Sequence, residues 1–122
     1  MKQTYYTGLA GEHAAARWLQ SQRGMKLLET RYRTKAGEID LILLDGDTVV
    51  FAEVKTRMKA EAGDGLKYVD SRKQQRIAKA SVLYLLARNW LNRSVRYDIV
   101  EVSGDRVMHI ANAFQPSGMF YR

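Results

Sequence analysis

Apolar residues near the start of the chain recur at intervals of three and four. Leu9, Ala15, Ala16 and Leu19 share one stripe of a helix predicted over 7–22, and Gly24 supplies its stop. The segment 25–33 alternates only loosely. Segments 37–44 and 48–55 are dense in β-branched and apolar residues and flank Asp45-Gly46-Asp47, which predicts a β-hairpin. In its first strand Ile39, Leu41 and Leu43 fall on one face and Ile42 and Leu44 on the other, so this strand is expected inside a sheet covered on both sides. Charges around Gly63 and Gly65 mark 57–70 as a mobile loop, followed by a long helix over 72–91. A second hairpin is expected from 95–102 and 106–111, around Ser103-Gly104-Asp105. The predicted class is α/β, a central mixed sheet flanked by helices in the order α-β-β-β-α-β-β.

Composition narrows the function classes. With 122 residues, 46% of them hydrophobic, the chain reads as one domain over 1–122, a core over 1–114 and a C-terminal tail over 115–122 holding the only proline, Pro116. Such a domain buries about two-thirds of the surface its unfolded chain exposes. The absence of Cys excludes disulfides, thiolate metal sites and thiol catalysis. No apolar run approaches the roughly 20 residues of a membrane span, and the start lacks the apolar core of a secretory signal, so no membrane partner and a cytoplasmic location are expected. Lys and Arg number 20 against 13 Asp and Glu, a net charge of +7 that attracts polyanions without naming one.

The informative feature is what interrupts the apolar strands. Asp40 stands between Ile39 and Leu41, where an uncompensated carboxylate costs several kcal/mol or protonates. On the partner strand Val49, Val50, Phe51 and Ala52 run into Glu53, Val54 and Lys55, and strand periodicity puts Glu53 and Lys55 on one face. An even hairpin connection brings Asp40 to that face. A two-residue loop at Asp45-Gly46 sets Asp40 opposite Phe51, and a four-residue loop from Asp45 to Thr48 sets it opposite Glu53. Glu12 falls on the buried stripe of the first helix, so a third acid points inward. Three acids and one lysine exceed what Lys55 neutralises, whereas a divalent cation balances them. The competing reading is a salt-bridged cluster with Lys55 as counter-ion.

These residues resemble a known family. GEIDLI at 37–42 followed by FAEVKTR at 51–57 looks like the nuclease superfamily named for its PD-(D/E)xK motif, without the proline before the first acid. Nearly the whole chain resembles the YraN-like family of small bacterial predicted endonucleases, related to Holliday junction resolvases. The supporting segments are GLAGEHAAARWL at the start, RKQQRI at 72–77, RYDIVEV at 96–102 and HIANAF at 109–114. The resemblance implies a restriction-endonuclease-like fold and an active site of Glu12, Asp40, Glu53 and Lys55. Asp40, Glu53 and the Val54 carbonyl would hold Mg²⁺ or Mn²⁺, with Glu12 completing the shell directly or through water. Lys55 would orient the attacking water and stabilise developing charge. Branched DNA is the substrate class the resemblance implies, and two-fold symmetric substrates suit a homodimer.

Arg31, Arg33, Lys35 and Arg57, with Lys59, cluster around the hairpin and are candidate phosphate contacts, as are Arg72, Arg76 and Lys79 on the long helix. Tyr32 and Tyr68 are candidates for base stacking or for packing. Ser71 and Gln74 have capping-box spacing, and the resemblance offers Gln74 an alternative role at the metal or the DNA. Glu38 is expected in water at the strand entrance, His13 on the surface, His109 in a strand without catalytic duty, and Asp98 receives no role. Against the endonuclease stands a noncatalytic DNA- or RNA-binding module that keeps the fold.

Overall fold

The computed structural model describes residues 8–57 and 69–116. Helix α1 (Gly8–Arg23) leads into β1 (Lys26–Arg33), β2 (Glu38–Asp45) and β3 (Thr48–Thr56); helix α2 (Ser71–Arg88) follows, then β4 (Val95–Ser103) and β5 (Arg106–Ile110). The element order matches the expectation from the apolar pattern. Most of the predicted loop, with Lys59, Gly63, Gly65 and Tyr68, lies outside the described residues.

All five strands form one sheet in the order β1-β2-β3-β4-β5. Neighbours are antiparallel except β3 and β4, which are parallel because α2 carries the chain across between them. The two-sided apolar pattern of β2 is explained by a helix on each face. On one side Ala15, Ala16 and Leu19 of α1 pack on Leu41, Leu43, Val50, Ala52, Val100 and Val102. On the other, Ile77, Ala80, Tyr84 and Leu85 of α2 pack on Ile42, Val49, Phe51, Tyr97 and Ile99. The result is three layers, helix, mixed sheet and helix, consistent with a restriction-endonuclease-like core. Leu9, expected on the buried stripe, is 48% exposed in the first turn of α1 and takes no part in the cluster that holds Ala15 and Leu19.

The ends of α2 are set by its flanking residues. Asp70, not Ser71, is the N-cap, its carboxylate accepting from the Lys73 amide at 2.9 Å. Gln74 therefore does not close a capping box; its side-chain amide donates to the Val69 carbonyl at 3.0 Å. The helix stops at Arg88, before the expected end, because Asn89 turns left-handed (φ 59°) and its amide bonds back to the Leu85 and Leu86 carbonyls.

Asp98 acquires a structural role. Fully buried on β4, it accepts from Arg96 Nε (2.9 Å) and a terminal guanidinium nitrogen (3.0 Å), from the Asn112 amide (2.9 Å), and pairs with His109 Nε2 (2.7 Å). Burial alone would push its carboxyl up, but hydrogen bonds from His109, Arg96 and the Asn112 amide outweigh it and hold Asp98 below the usual carboxylate range. Arg96 also reaches Asp45 at 2.9 Å, tying the start of β4 to the β2–β3 turn.

Phe51 is the test of this packing, since it lies 5.6 Å from the stacked ring of Tyr97 and 6.1 Å from the perpendicular ring of Tyr84. Phe51→Ala is expected to lose about 3–5 kcal/mol of stability. Urea unfolding with an unchanged m-value measures it, and a loss below about 1 kcal/mol would show that α2 is not anchored there.

Candidate active site

The hairpin takes the second of the two even registers. Leu44 pairs with Val49 and Leu41 with Ala52, around a turn at Gly46-Asp47 where Gly46 has φ +61°. Continuing that register sets Asp40 opposite Glu53, but the paired ladder ends at Leu41. Odd-numbered amides of β3 face β4, as the bonds from Val49 to Ser94 (2.9 Å) and from Arg57 to Val102 (2.8 Å) show. The amide and carbonyl of a strand residue share one side, so both polar groups of Val54 face β2. Its amide is satisfied by Asp40 Oδ2 at 2.8 Å instead of by a main-chain carbonyl. The carboxylate thus occupies the fork where the two strands part.

A cleft of roughly 440 Å³ opens beside this fork, lined by Gly37, Glu38, Asp40, Glu53, Lys73, Arg76 and Ile77. The approach of the β1–β2 connection to α2 is close: a Cβ on Gly37 would lie 2.8 Å from the Arg76 carbonyl oxygen. The Thr34 hydroxyl orders that connection, accepting from the Ala36 and Gly37 amides at 3.0 Å. Gly37 is therefore a close-packing glycine that seats the first turns of α2 against the cleft.

Two cations that the charge argument from sequence left out neutralise two of the acids. Lys73 Nζ lies 2.5 Å from Glu53 Oε2, and Arg31 Nε lies 2.8 Å from Glu12 Oε1. Arg31 has φ 52°, a left-handed conformation costing roughly 1–3 kcal/mol in a non-glycine residue, and lies between the Thr30–Leu41 and Tyr32–Ile39 pairs, opposite Asp40. Asp40 is less well compensated. Burial and the neighbouring charge of Glu53 push its carboxyl up to about 7 against the Val54 hydrogen bond, Glu12 adding to the rise and Lys73 opposing it.

The structure thus brings Asp40, Glu53 and the Val54 backbone together. Glu12 is buried on α1, close enough for its charge to act on Asp40, but turned to Arg31. Lys55 lies two residues past Glu53 on the same face of β3, in register with Glu101 of β4. Among the phosphate candidates Arg76 lines the cleft, Arg72 and Lys35 are exposed, and Arg33 is exposed with a loose pairing to Glu38 at 3.6 Å. Arg31 is engaged by Glu12. Arg57 corrects the expectation: it is buried at the end of β3, so it offers no surface to phosphate. Gln74 is held by Val69 and touches neither acid. Tyr32 packs edge-on against Tyr84 at 5.2 Å, a core contact. Lys73 was missed, although its spacing of three from Arg76 places both on one edge of the helix.

Among the described residues no three His, Cys, Asp or Glu side chains form a cation-holding group. The four-ligand set that included Glu12 is not assembled, because Arg31 takes that carboxylate. Two carboxylates that repel each other beside a main-chain carbonyl aimed into the same fork remain. That hard-oxygen donor set suits Mg²⁺ or Mn²⁺.

The model of a family described as "Uncharacterised protein family UPF0102" matches residues 11–102. UPF0102 proteins similar to this chain include that of Pseudomonas putida strain W619, 41% identical over 88% of this chain and 92% of its own length. Those of Syntrophus aciditrophicus strain SB, 41% identical over 94% and 93%, and of Caldanaerobacter subterraneus subsp. tengcongensis, 41% over 88% and 93%, are comparably close.

The raised Asp40 carboxyl has a consequence for stability. Between its unfolded value of 3.8 and about 7 the folded state holds the extra proton, so this group lowers stability as pH rises through that window, with the full cost above about 7. Asp40→Asn keeps an acceptor for Val54 and removes the charge. In EDTA it is expected to melt about 5 °C or more above wild type at pH 8 and to lose that advantage toward pH 4.5. An Asn variant no more stable than wild type at pH 8 would mean that the carboxylate is already compensated.

Proposed function

The chain belongs to the UPF0102 family, and we propose that it is a divalent-metal-dependent endonuclease that hydrolyses phosphodiester bonds in DNA, acting in the cytoplasm. The observation that carries this reading is the fork: Asp40, Glu53 and the Val54 backbone meet at the edge of a cleft whose other wall presents Lys73 and Arg76. The resemblance to the PD-(D/E)xK nucleases, and within them to the YraN-like and junction-resolving enzymes, assigns the same residues and favours branched DNA.

Asp40, Glu53 and the Val54 carbonyl would hold Mg²⁺ or Mn²⁺, which when bound supplies Lewis acidity to the scissile phosphate. The chain's own residues do the rest. Glu12, held by Arg31, keeps a further negative charge behind Asp40. Lys55, one strand period beyond Glu53, would orient water and stabilise charge developing on the phosphate. Arg76 in the cleft and exposed Arg33, Lys35 and Arg72 provide phosphate contacts, and the net charge of +7 draws the polyanion in. No recognised base-reading motif accompanies them, so binding follows backbone and shape. The noncatalytic binding module is favoured by one observation, the neutralisation of Glu53 and Glu12 by Lys73 and Arg31.

Cleavage of four-way junction, flap, single-stranded and duplex DNA with Mg²⁺, Mn²⁺ or EDTA separates the two readings. Wild type is expected to cut at least one branched substrate with metal and none in EDTA. Asp40→Ala should lose both metal binding and cleavage. Lys55→Ala should lose about 10²-fold or more in rate while retaining metal binding, read as a metal-induced rise in melting temperature. Metal-independent DNA binding with no cleavage and no melting shift at millimolar metal would leave the binding module.

A further inference from the structure

Lys73 and Glu53 form an ion pair whose two partners differ in freedom. The Glu53 side chain is 10% exposed and fixed on a central strand, while the Lys73 side chain is 41% exposed. Only its backbone is tied down, its amide bonded to the Asp70 cap. A lysine ammonium is a hydrated point charge on a flexible four-carbon stem, and solvent screens the exposed end of such a pair. The ammonium also lies against the carboxylate that neighbours Asp40 at the fork. A divalent cation held by Glu53 and Asp40 and the Lys73 ammonium therefore compete for one oxygen. Gly37, packed against Arg76, fixes how far this helical turn stands from the acids. Arg31 differs, since it pairs with Glu12 from a strand and does not line the cleft.

We propose that Lys73 is an exchangeable counter-ion of the cleft: it pairs with Glu53 until a divalent cation displaces it, and the freed ammonium then takes a nucleic-acid phosphate beside Arg76. The exchange rests on the metal-dependent reading above and adds its regulation. The positive charge that guards the acids becomes a substrate contact only after metal has entered, so phosphate capture is coupled to metal binding. Lys73 is on this account a positioning residue for metal and a direct contact for phosphate.

Two measurements on the full chain test it, neither of them activity. In calorimetric titrations with Mn²⁺, Lys73→Met removes the competitor and is expected to bind about three- to tenfold more tightly than wild type, whereas Lys73→Arg should stay near wild type. In fluorescence anisotropy with labelled duplex DNA, replacing EDTA by Ca²⁺ should strengthen binding by wild type several-fold more than binding by Lys73→Met. Melting curves in EDTA establish that both variants are folded; if Lys73→Met is not, Lys73→Gln takes its place. Mn²⁺ binding by Lys73→Met equal to or weaker than that of a metal-binding wild type overturns the exchange alone. Absence of Mn²⁺ binding in all proteins at millimolar metal overturns the metal-dependent reading, and the exchange with it.

Discussion

When β2 parts from β3 after Leu41, the Val54 amide is left without a ladder carbonyl, and the Asp40 carboxylate takes its place. A buried backbone donor must be satisfied, so this contact fixes how the strands can separate. It also determines which groups share the gap. Val54 turns its carbonyl to the same side, Asp40 is drawn within repulsive range of Glu53, and the cleft opens between them and α2. The cost is a carboxyl group pushed far from its ordinary range. A fold selected for stability alone would place an apolar side chain or a continued ladder here.

Both hydrophobic layers serve that fork. Burial of Ala15, Ala16 and Leu19 sets the height of α1 and so the approach of Glu12; burial of Ile77, Tyr84 and Leu85 sets α2 and so the reach of Lys73 and Arg76. The charges arrive from opposite faces of the sheet and meet where its strands diverge. Each acid of the centre has its own balance: Glu12 has Arg31, Glu53 has Lys73, and Asp40 has one amide. The strained backbone of Arg31 and the tight approach of Gly37 to Arg76 are further constraints gathered at the same place. Strain and imperfect neutralisation thus gather at one end of an otherwise well-packed sheet, the pattern common to functional sites.

Away from the cleft, the buried charge of Asp98 is well satisfied. Asp98 lies at the centre of β4 with four donors around it, and the pull of Arg96 and His109 exceeds the effect of burial. The contrast with Asp40 is physical: both carboxylates sit on interior strands, Asp98 fully buried among cations and donors and Asp40 half-buried and facing a second acid. Burial pushes both carboxyls up, and the neighbours decide the net shift: donors and a guanidinium pull Asp98 down, while Glu53 pushes Asp40 further up.

The order of elements, the two-sided cover of β2 and the inward turn of Glu12 were legible in the sequence because periodicity of two or near 3.6 fixes which face a side chain takes. The shared face of Glu53 and Lys55 followed from the same rule, and the choice of Asp40 narrowed to two registers. Only the tertiary structure decided between those registers, since both place the same apolar residues inward and differ in how the turn at Gly46-Asp47 closes. Partners were equally out of reach. Glu12 and Arg31 lie on α1 and β1, and Glu53 and Lys73 on β3 and α2, so their meeting depends on the docking of each helix onto the sheet. A lone arginine reads alike whether it ends buried, as Arg57 does, or against the cleft, as Arg76 does. One-dimensional patterns carry the direction of a side chain from its own backbone, and distance across the fold belongs to the packed molecule.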